Sequence, residues 1–425
     1  MNSLTHFNET VKELSEKLNL LQSPIRILDS INWSADVRQE FLARGGNALP
    51  AINKDSYAAK NLGYQPQQLQ DDFFALENEI AKKLGQLNPA GALLIKMCRE
   101  FRIVLRMIEA RGTPTFHALS TELYGGAHDV FHPGEPSLAD LGIMLEKVLE
   151  GMSHDFLPQD EKTLNADEAV AILADKLNTS MANIPVKVVI SDGIVSDAAA
   201  GSDTIKINKE ATFSMRELDI LEVHEGWVHL GTTFNGLNQP YLKALAKGTP
   251  SATVTQEGLA VLTEIITLRS TPERLKKLVY RIRAVTMATD GADFVEIYRY
   301  FIDKGLNSQD AFTITSRAFR GSTPNGLPFT KDISYIKGFV LIYNLIRVAV
   351  QLGRIDRLSI LLCGKINLAD FKSYTELMDS GTIAVPTFIP PHFSDFRGLA
   401  AWLSFGKFIG NLSFEKLEQD YAHLF

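Results

Sequence analysis

Leu221–Gly231 reads LEVHEGWVHLG, and the reading of the whole chain turns on this stretch. His224, Glu225 and His229 form an H-E-x-x-x-H arrangement among Ile220, Leu221, Val223, Trp227, Val228 and Leu230. Polar side chains set in so apolar a segment are expected inside the protein with a partner, not on a solvated face. Two imidazoles one helical turn apart can hold a zinc ion at about 2.0 to 2.1 Å, while the Glu beside the first His faces a water that the ion acidifies. That geometry belongs to a spacing of four residues. Here the spacing is five, and five residues of regular helix advance by about 500°, leaving the histidines roughly 140° apart. A π-type bulge between residues 224 and 229 absorbs the extra residue, and Gly226 lowers the steric resistance to it. The alternative without metal is a buried His-Glu hydrogen-bond network.

Working outward, Ser214 and Glu217 make a capping box that opens a helix over 215–230, with Gly231 at its end. Upstream lies IPVKVVISDGIVSDAAAGSDTIKIN, residues 184–208, in which Val186–Ile190 and Thr204–Asn208 read as strands separated by Gly and Asp turns. Helical period dominates elsewhere. Asn88, Pro89 and Gly112 bracket a helix near 90–111, and Asn165 with Glu168 opens one at 166–177. Thr253 with Gln256 opens 254–269, and Thr271 caps 272–287. Further helices are expected at 291–303, 308–320, 333–352, 367–379 and 412–423. The predicted class is α+β and predominantly α-helical, with a small β-sheet before the metal helix. A boundary near 155–165 divides it into an N-terminal helical region, 1–160, and a catalytic domain, 161–425.

Catalytic zinc usually has three protein ligands. Glu257, in TVTQEGLAVLTE, stands in the first turn of the 254–269 helix, and small Gly258 and Ala260 would let that helix press against the metal helix. A helix-start carboxylate favoured by the dipole is the alternative account of Glu257. The other histidines are weaker candidates: His128 and His132 lie in a Gly/Pro loop, His6 and His423 near the ends, and His117 and His154 lack neighbouring partners.

Composition narrows the class. The 425 residues are 45% apolar and 22% charged, with 43 Lys plus Arg against 50 Asp plus Glu, so the net charge of −7 argues against nucleic acid or anionic lipid as a partner. Cys98 and Cys363 are the only cysteines, too few for a disulfide framework or a Cys-based zinc cluster. The first residues show no basic segment followed by an apolar one, and the densest apolar run, Phe339–Ile346, is short for a membrane span. The expectation is a cytoplasmic protein with no membrane partner.

HEGWVH followed by TQEGLA resembles the bacterial flavohaemoglobin expression-modulating proteins named for the QEGLA motif, which are similar in turn to the eukaryotic microtubule-associated tyrosine carboxypeptidases. The resemblance extends from the Trp33 region and the LYG at Leu123–Gly125 to FRG at Phe319–Gly321 and FTKDISYIKG at Phe329–Gly338. It implies a zincin-like metallopeptidase that binds one Zn²⁺ through His224, His229 and Glu257, with Glu225 as general base. The activity of the eukaryotic relatives implies a carboxypeptidase whose partner is a peptide or protein C-terminal tail ending in tyrosine. One departure is Val261, four residues after Glu257, where related zincins carry an acidic residue; the sequence therefore leaves the partner of His224 unassigned, with Glu264 one candidate.

A developing oxyanion needs a donor beyond the metal, and Tyr335 is the first choice, with His392 in IPPHF the second. A C-terminal carboxylate suits paired guanidinium donors, so Arg317, Arg320 and the nearby Lys331 are the candidate substrate clamp. The loop GSTPNGLPFTKD, residues 321–332, is a candidate lid, and Thr204–Asn208 a candidate edge strand for an extended peptide. Two other functions fit the same residues: a regulatory zinc protein that senses a peptide tail without cutting it, and an endopeptidase or aminopeptidase whose groove is closed elsewhere.

Overall fold

The computed structural model describes residues 3–152, 160–182, 184–192, 194, 196–201, 203–410, 412–421 and 423, so His154 and residues 155–159 of the expected 155–165 boundary lie outside the described residues. The chain is mostly helical, with one three-stranded sheet just before the metal helix. Strand β1 (Lys187–Ser191) runs parallel to β3 (Thr204–Asn208), and β2 (Ala198–Ala200) runs antiparallel along the other side of β3. Thr204–Asn208 is therefore central, which corrects its reading as an edge. The edge facing the site is β2, three alanines with too little β signal to be read from sequence.

Side-chain caps set two helix starts as expected, since Asn165 with Glu168 and Ser214 with Glu217 form reciprocal capping boxes. A further box, Asp293 with Glu296, starts at Phe294 the helix expected from 291. The helix at 254–269 differs, since it spans Ala252–Ile266 and neither Thr253 nor Gln256 caps it. Instead the buried Glu100 carboxylate accepts from the Ser251 N–H at 3.1 Å and from its hydroxyl at 2.7 Å. Gln256 is free for another task.

The helix opened by Ser214 does not stop at Gly231. It runs as α-helix over Met215–Leu221, widens to π-helix over Glu222–Leu230, and returns to α-helix over Gly231–Leu237. The expected bulge is thus a nine-residue segment. Its glycines serve close packing: a Cβ on Gly226 would fall 2.3 Å from Leu177, and one on Gly231 would fall 2.6 Å from Phe388. Gly258 likewise does not face the metal helix. It touches Gly338 of the Ser334–Gln351 helix, where a Cβ on Gly338 would lie 1.9 Å from the Val254 carbonyl, so the two backbones are in contact. The longer segment Thr330–Gln351, which contains Phe339–Ile346, is long and apolar enough to cross a membrane by length and composition, with 44% of its apolar window buried in the protein.

The apolar residues of these elements feed three cores. Val223, Trp227 and Leu230 pack with Leu173, Leu177 and the β3 residues Ile205 and Ile207. Val228, Leu259, Ala260 and Leu262 join a larger core that also holds Leu14, Phe73, Leu94 and Phe101 from the N-terminal helices. Val261, Tyr335 and Ile336 belong to a third core around Leu278, Ile282 and Phe294. The π-helix and the Ala252–Ile266 helix share the larger core through Val228 and through Leu259, Ala260 and Leu262, while His224, His229 and Glu257 face the space between them.

Candidate active site

That space holds His224, His229 and Glu257, whose ligand atoms all lie within 4.8 Å of one another. Glu257 Oε2 is 3.4 Å from His224 Nε2 and 3.5 Å from His229 Nε2. Although buried, this oxygen has no hydrogen-bond partner. A tetrahedral ion with bonds of about 2.0 to 2.1 Å holds its ligand atoms about 3.3 to 3.4 Å apart, so an orphaned oxygen at these separations fits a metal ligand. The other oxygen, Oε1, accepts from Lys331 Nζ at 3.3 Å, which leaves Oε2 to face the histidines. Widening of the helix makes this possible, because it brings rings five residues apart to a centroid distance of 4.8 Å at nearly right angles.

His224 is held from behind. Its Nδ1 lies 2.6 Å from Glu264 Oε1, which places the proton on Nδ1 and leaves Nε2 free to ligate. Glu264, 0% exposed, also accepts from Arg274 Nη2 at 2.9 Å and Nε at 3.1 Å. Burial opposes the charge on Glu264, but Arg274 and His224 outweigh it and hold the carboxyl down to about 2. Burial likewise opposes a charged His224, yet Glu257 and Glu264 raise it to about 10 in the metal-free protein.

Glu225 projects beside the histidines. Its Oε2 accepts from the Ala200 N–H of β2 at 3.0 Å, and its Oε1 lies 4.0 Å from His224 Nε2. The edge strand therefore aims the carboxylate toward the point that the three ligand atoms share.

A cavity of about 780 Å³ opens over this group, lined on one side by Ala198–Ala200 and on another by Arg281, Arg317, Arg320, Lys331 and Tyr335. Arg317 is already engaged, since its Nε and Nη2 reach Asp332 at 2.5 and 2.8 Å. Burial opposes the Asp332 charge, but Arg317 holds its carboxyl far below the usual carboxylate range. Arg320 is 9% exposed, its Nε is unpartnered, and its Nη2 lies 3.9 Å from Asp332; burial first and Arg317 second pull it down to about 10. Arg281, which periodicity hides on an amphipathic helix, stacks 4.5 Å over the Tyr335 ring, and Lys331 lies 5.8 Å from the same ring. One side of the cavity is thus cationic and only partly neutralised.

Two expected residues or segments are placed elsewhere. His392 is exposed, stacks on Trp227 at 5.7 Å and does not line the cavity, because the Pro390–Pro391 turn lays its helix against the outside of the metal helix. The loop at 321–332 is pinned rather than lid-like, with the Ser322 carbonyl accepting from Tyr57 and the Pro324 carbonyl accepting from Phe294 N–H, both at 2.8 Å. His128 pairs with Asp290 and His117 Nδ1 meets the Pro328 carbonyl, both away from the metal group.

Fold and site together define a largely helical protein with a buried candidate metal site at the floor of a cationic cavity. The chain belongs to the microtubule-associated tyrosine carboxypeptidase family, whose match spans residues 39–411. Membership implies carboxypeptidase chemistry and a protein C-terminus as substrate. Comparison with curated proteins finds no match.

Proposed function

We propose that this protein is a zincin-like carboxypeptidase that binds one Zn²⁺ through His224, His229 and Glu257 and releases the C-terminal residue, tyrosine by family kinship, from a peptide or protein tail. The observation that carries the reading is the orphaned Glu257 Oε2 facing both imidazoles with Glu225 alongside. A bound zinc ion supplies Lewis acidity, polarising a carbonyl and acidifying a water. Glu225, steadied by the Ala200 N–H, takes the proton of the attacking water and delivers it to the leaving amine. Tyr335 stands beside the cavity as the donor to the developing oxyanion. The peptide backbone lies along the β2 edge, and its terminal carboxylate enters the cationic side.

Within that side, Arg320 and Arg281 are the clamp, because Arg317 is occupied by Asp332 and Lys331 by Glu257. Arg320→Ala or Arg281→Ala is expected to lower kcat/KM on free-carboxylate peptides by about 2 to 5 kcal/mol of transition-state stabilisation, and to matter little for amidated ones. Equal losses on both peptide types would remove the carboxypeptidase assignment while leaving a peptidase. Metal content tests the reading more directly. Purified protein is expected to carry close to one zinc per chain, to lose peptide cleavage after chelation and to regain it with added zinc. Protein that takes up no zinc on reconstitution sinks the proposal.

A further inference from the structure

Behind the candidate ligands, on the side away from the cavity, lies Lys365. It is anchored by its own N–H, which donates to the Leu245 carbonyl at 2.7 Å, and by its Cβ, which occupies the space that Gly248 leaves open. Its ammonium donates to the His229 carbonyl at 2.7 Å, to Gln256 Oε1 at 2.9 Å and to Thr232 Oγ1 at 3.1 Å. All three ammonium hydrogens are therefore used. Two of the acceptors belong to the elements that carry the metal group: the backbone of His229 itself, and the side chain next to Glu257. Among the described residues, no carboxylate lies within ion-pair distance of Lys365, so this cation is not kept in place by a salt bridge.

A π-helix is a poor spacer by itself, because its turns are wider and less tightly packed than those of an α-helix. His229 sits at its far end, and the position of its ring relative to Glu257 depends on how the π-helix meets the Ala252–Ile266 helix. Hydrogen bonds from one ammonium to both elements tie that junction at a single atom. We infer that Lys365 is a positioning residue that sets the separation of His229 from Glu257, and through it the affinity of the site for its metal. This inference rests on the metal reading proposed above. It also accounts for Gln256, whose side chain leaves the cap expected of it and instead accepts from Lys365 and from Thr232 at 2.8 Å.

The test measures zinc affinity by competition with a chromophoric chelator, together with the absorption spectrum of the cobalt-substituted protein and the melting temperature of the metal-free form. Lys365→Met keeps the length and apolar stem and removes all three donors. It is expected to weaken zinc binding about 10- to 100-fold, as loss of groups that orient metal ligands does, and to alter the cobalt spectrum. Gln256→Leu, which removes one acceptor and leaves Lys365 in place, is expected to shift both readouts in the same direction by less, and it serves if Lys365→Met does not fold. Folded Lys365→Met or Gln256→Leu protein with wild-type zinc affinity and an unchanged cobalt spectrum overturns the positioning role alone. A wild-type chain that binds no zinc overturns the reading of the site beneath it.

Discussion

Glu225→Gln is expected to leave the chain folded and zinc-loaded and to lower hydrolysis of a free-carboxylate peptide by about 10²- to 10⁴-fold, the usual contribution of a positioned general base. The amide keeps the size of the side chain, and its oxygen can still accept from the Ala200 N–H that holds Glu225 at 3.0 Å. What it loses is the ability to take a proton. Zinc analysis of the purified variant and single-turnover peptide cleavage separate the two properties. A variant that binds zinc and cleaves as fast as wild type would show that the proton goes elsewhere. Loss of zinc as well would mean that Glu225 also shapes the metal group, which its 4.0 Å distance from His224 Nε2 makes the less expected outcome.

The largest effect on stability is expected from Glu264→Ala. This carboxylate is wholly buried and serves His224, Arg274 and the Ser270 hydroxyl together. Its removal strands the Arg274 guanidinium, and breaking a buried ion pair from one side costs about 3 to 5 kcal/mol. The metal should bind about 10- to 100-fold more weakly as well, since His224 loses the group that orients its ring. Denaturant unfolding and chelator competition read the two effects separately, and a variant unchanged in both would show that Arg274 finds another partner. The pH dependence follows from the same contact. In the metal-free protein the folded-state carboxyl sits at about 2, below its ordinary value near 4.5. Its contribution is therefore complete above about 4.5 and is lost as the pH falls toward 2. Glu264→Gln should be less stable at neutral pH and should lose this part of the acid sensitivity.

His224, Glu225 and His229 were legible because their chemistry is written within six residues, and the mismatch between a spacing of five and the 3.6-residue turn calls for a widened helix. The starts at Ser214 and Asn165 are local for the same reason, since a capping box closes within four residues. Gln256 shows where local reading stops. Its sequence position three residues after Thr253 is that of a capping residue, yet a lysine 109 residues away takes its oxygen.

Arg317 and Arg320 look equivalent in the sequence, three residues apart at one helix end, and Asp332 separates them by pairing closely with the first. Arg281 carries no local mark, and only the approach of its helix to Tyr335 brings it into the cavity. The three alanines of β2 have no strand signature, and β3 makes them an edge by pairing with them. The sequence alone determined the helix-dominated class, the His-Glu-His group and its need for a widened turn, because periodicity, caps and ligand spacing act over a few residues. Tertiary structure alone decided which cations stay free, which strand borders the cavity and what holds each ligand, because those depend on contacts between segments far apart in the chain, where burial makes every unpaired charge or donor costly.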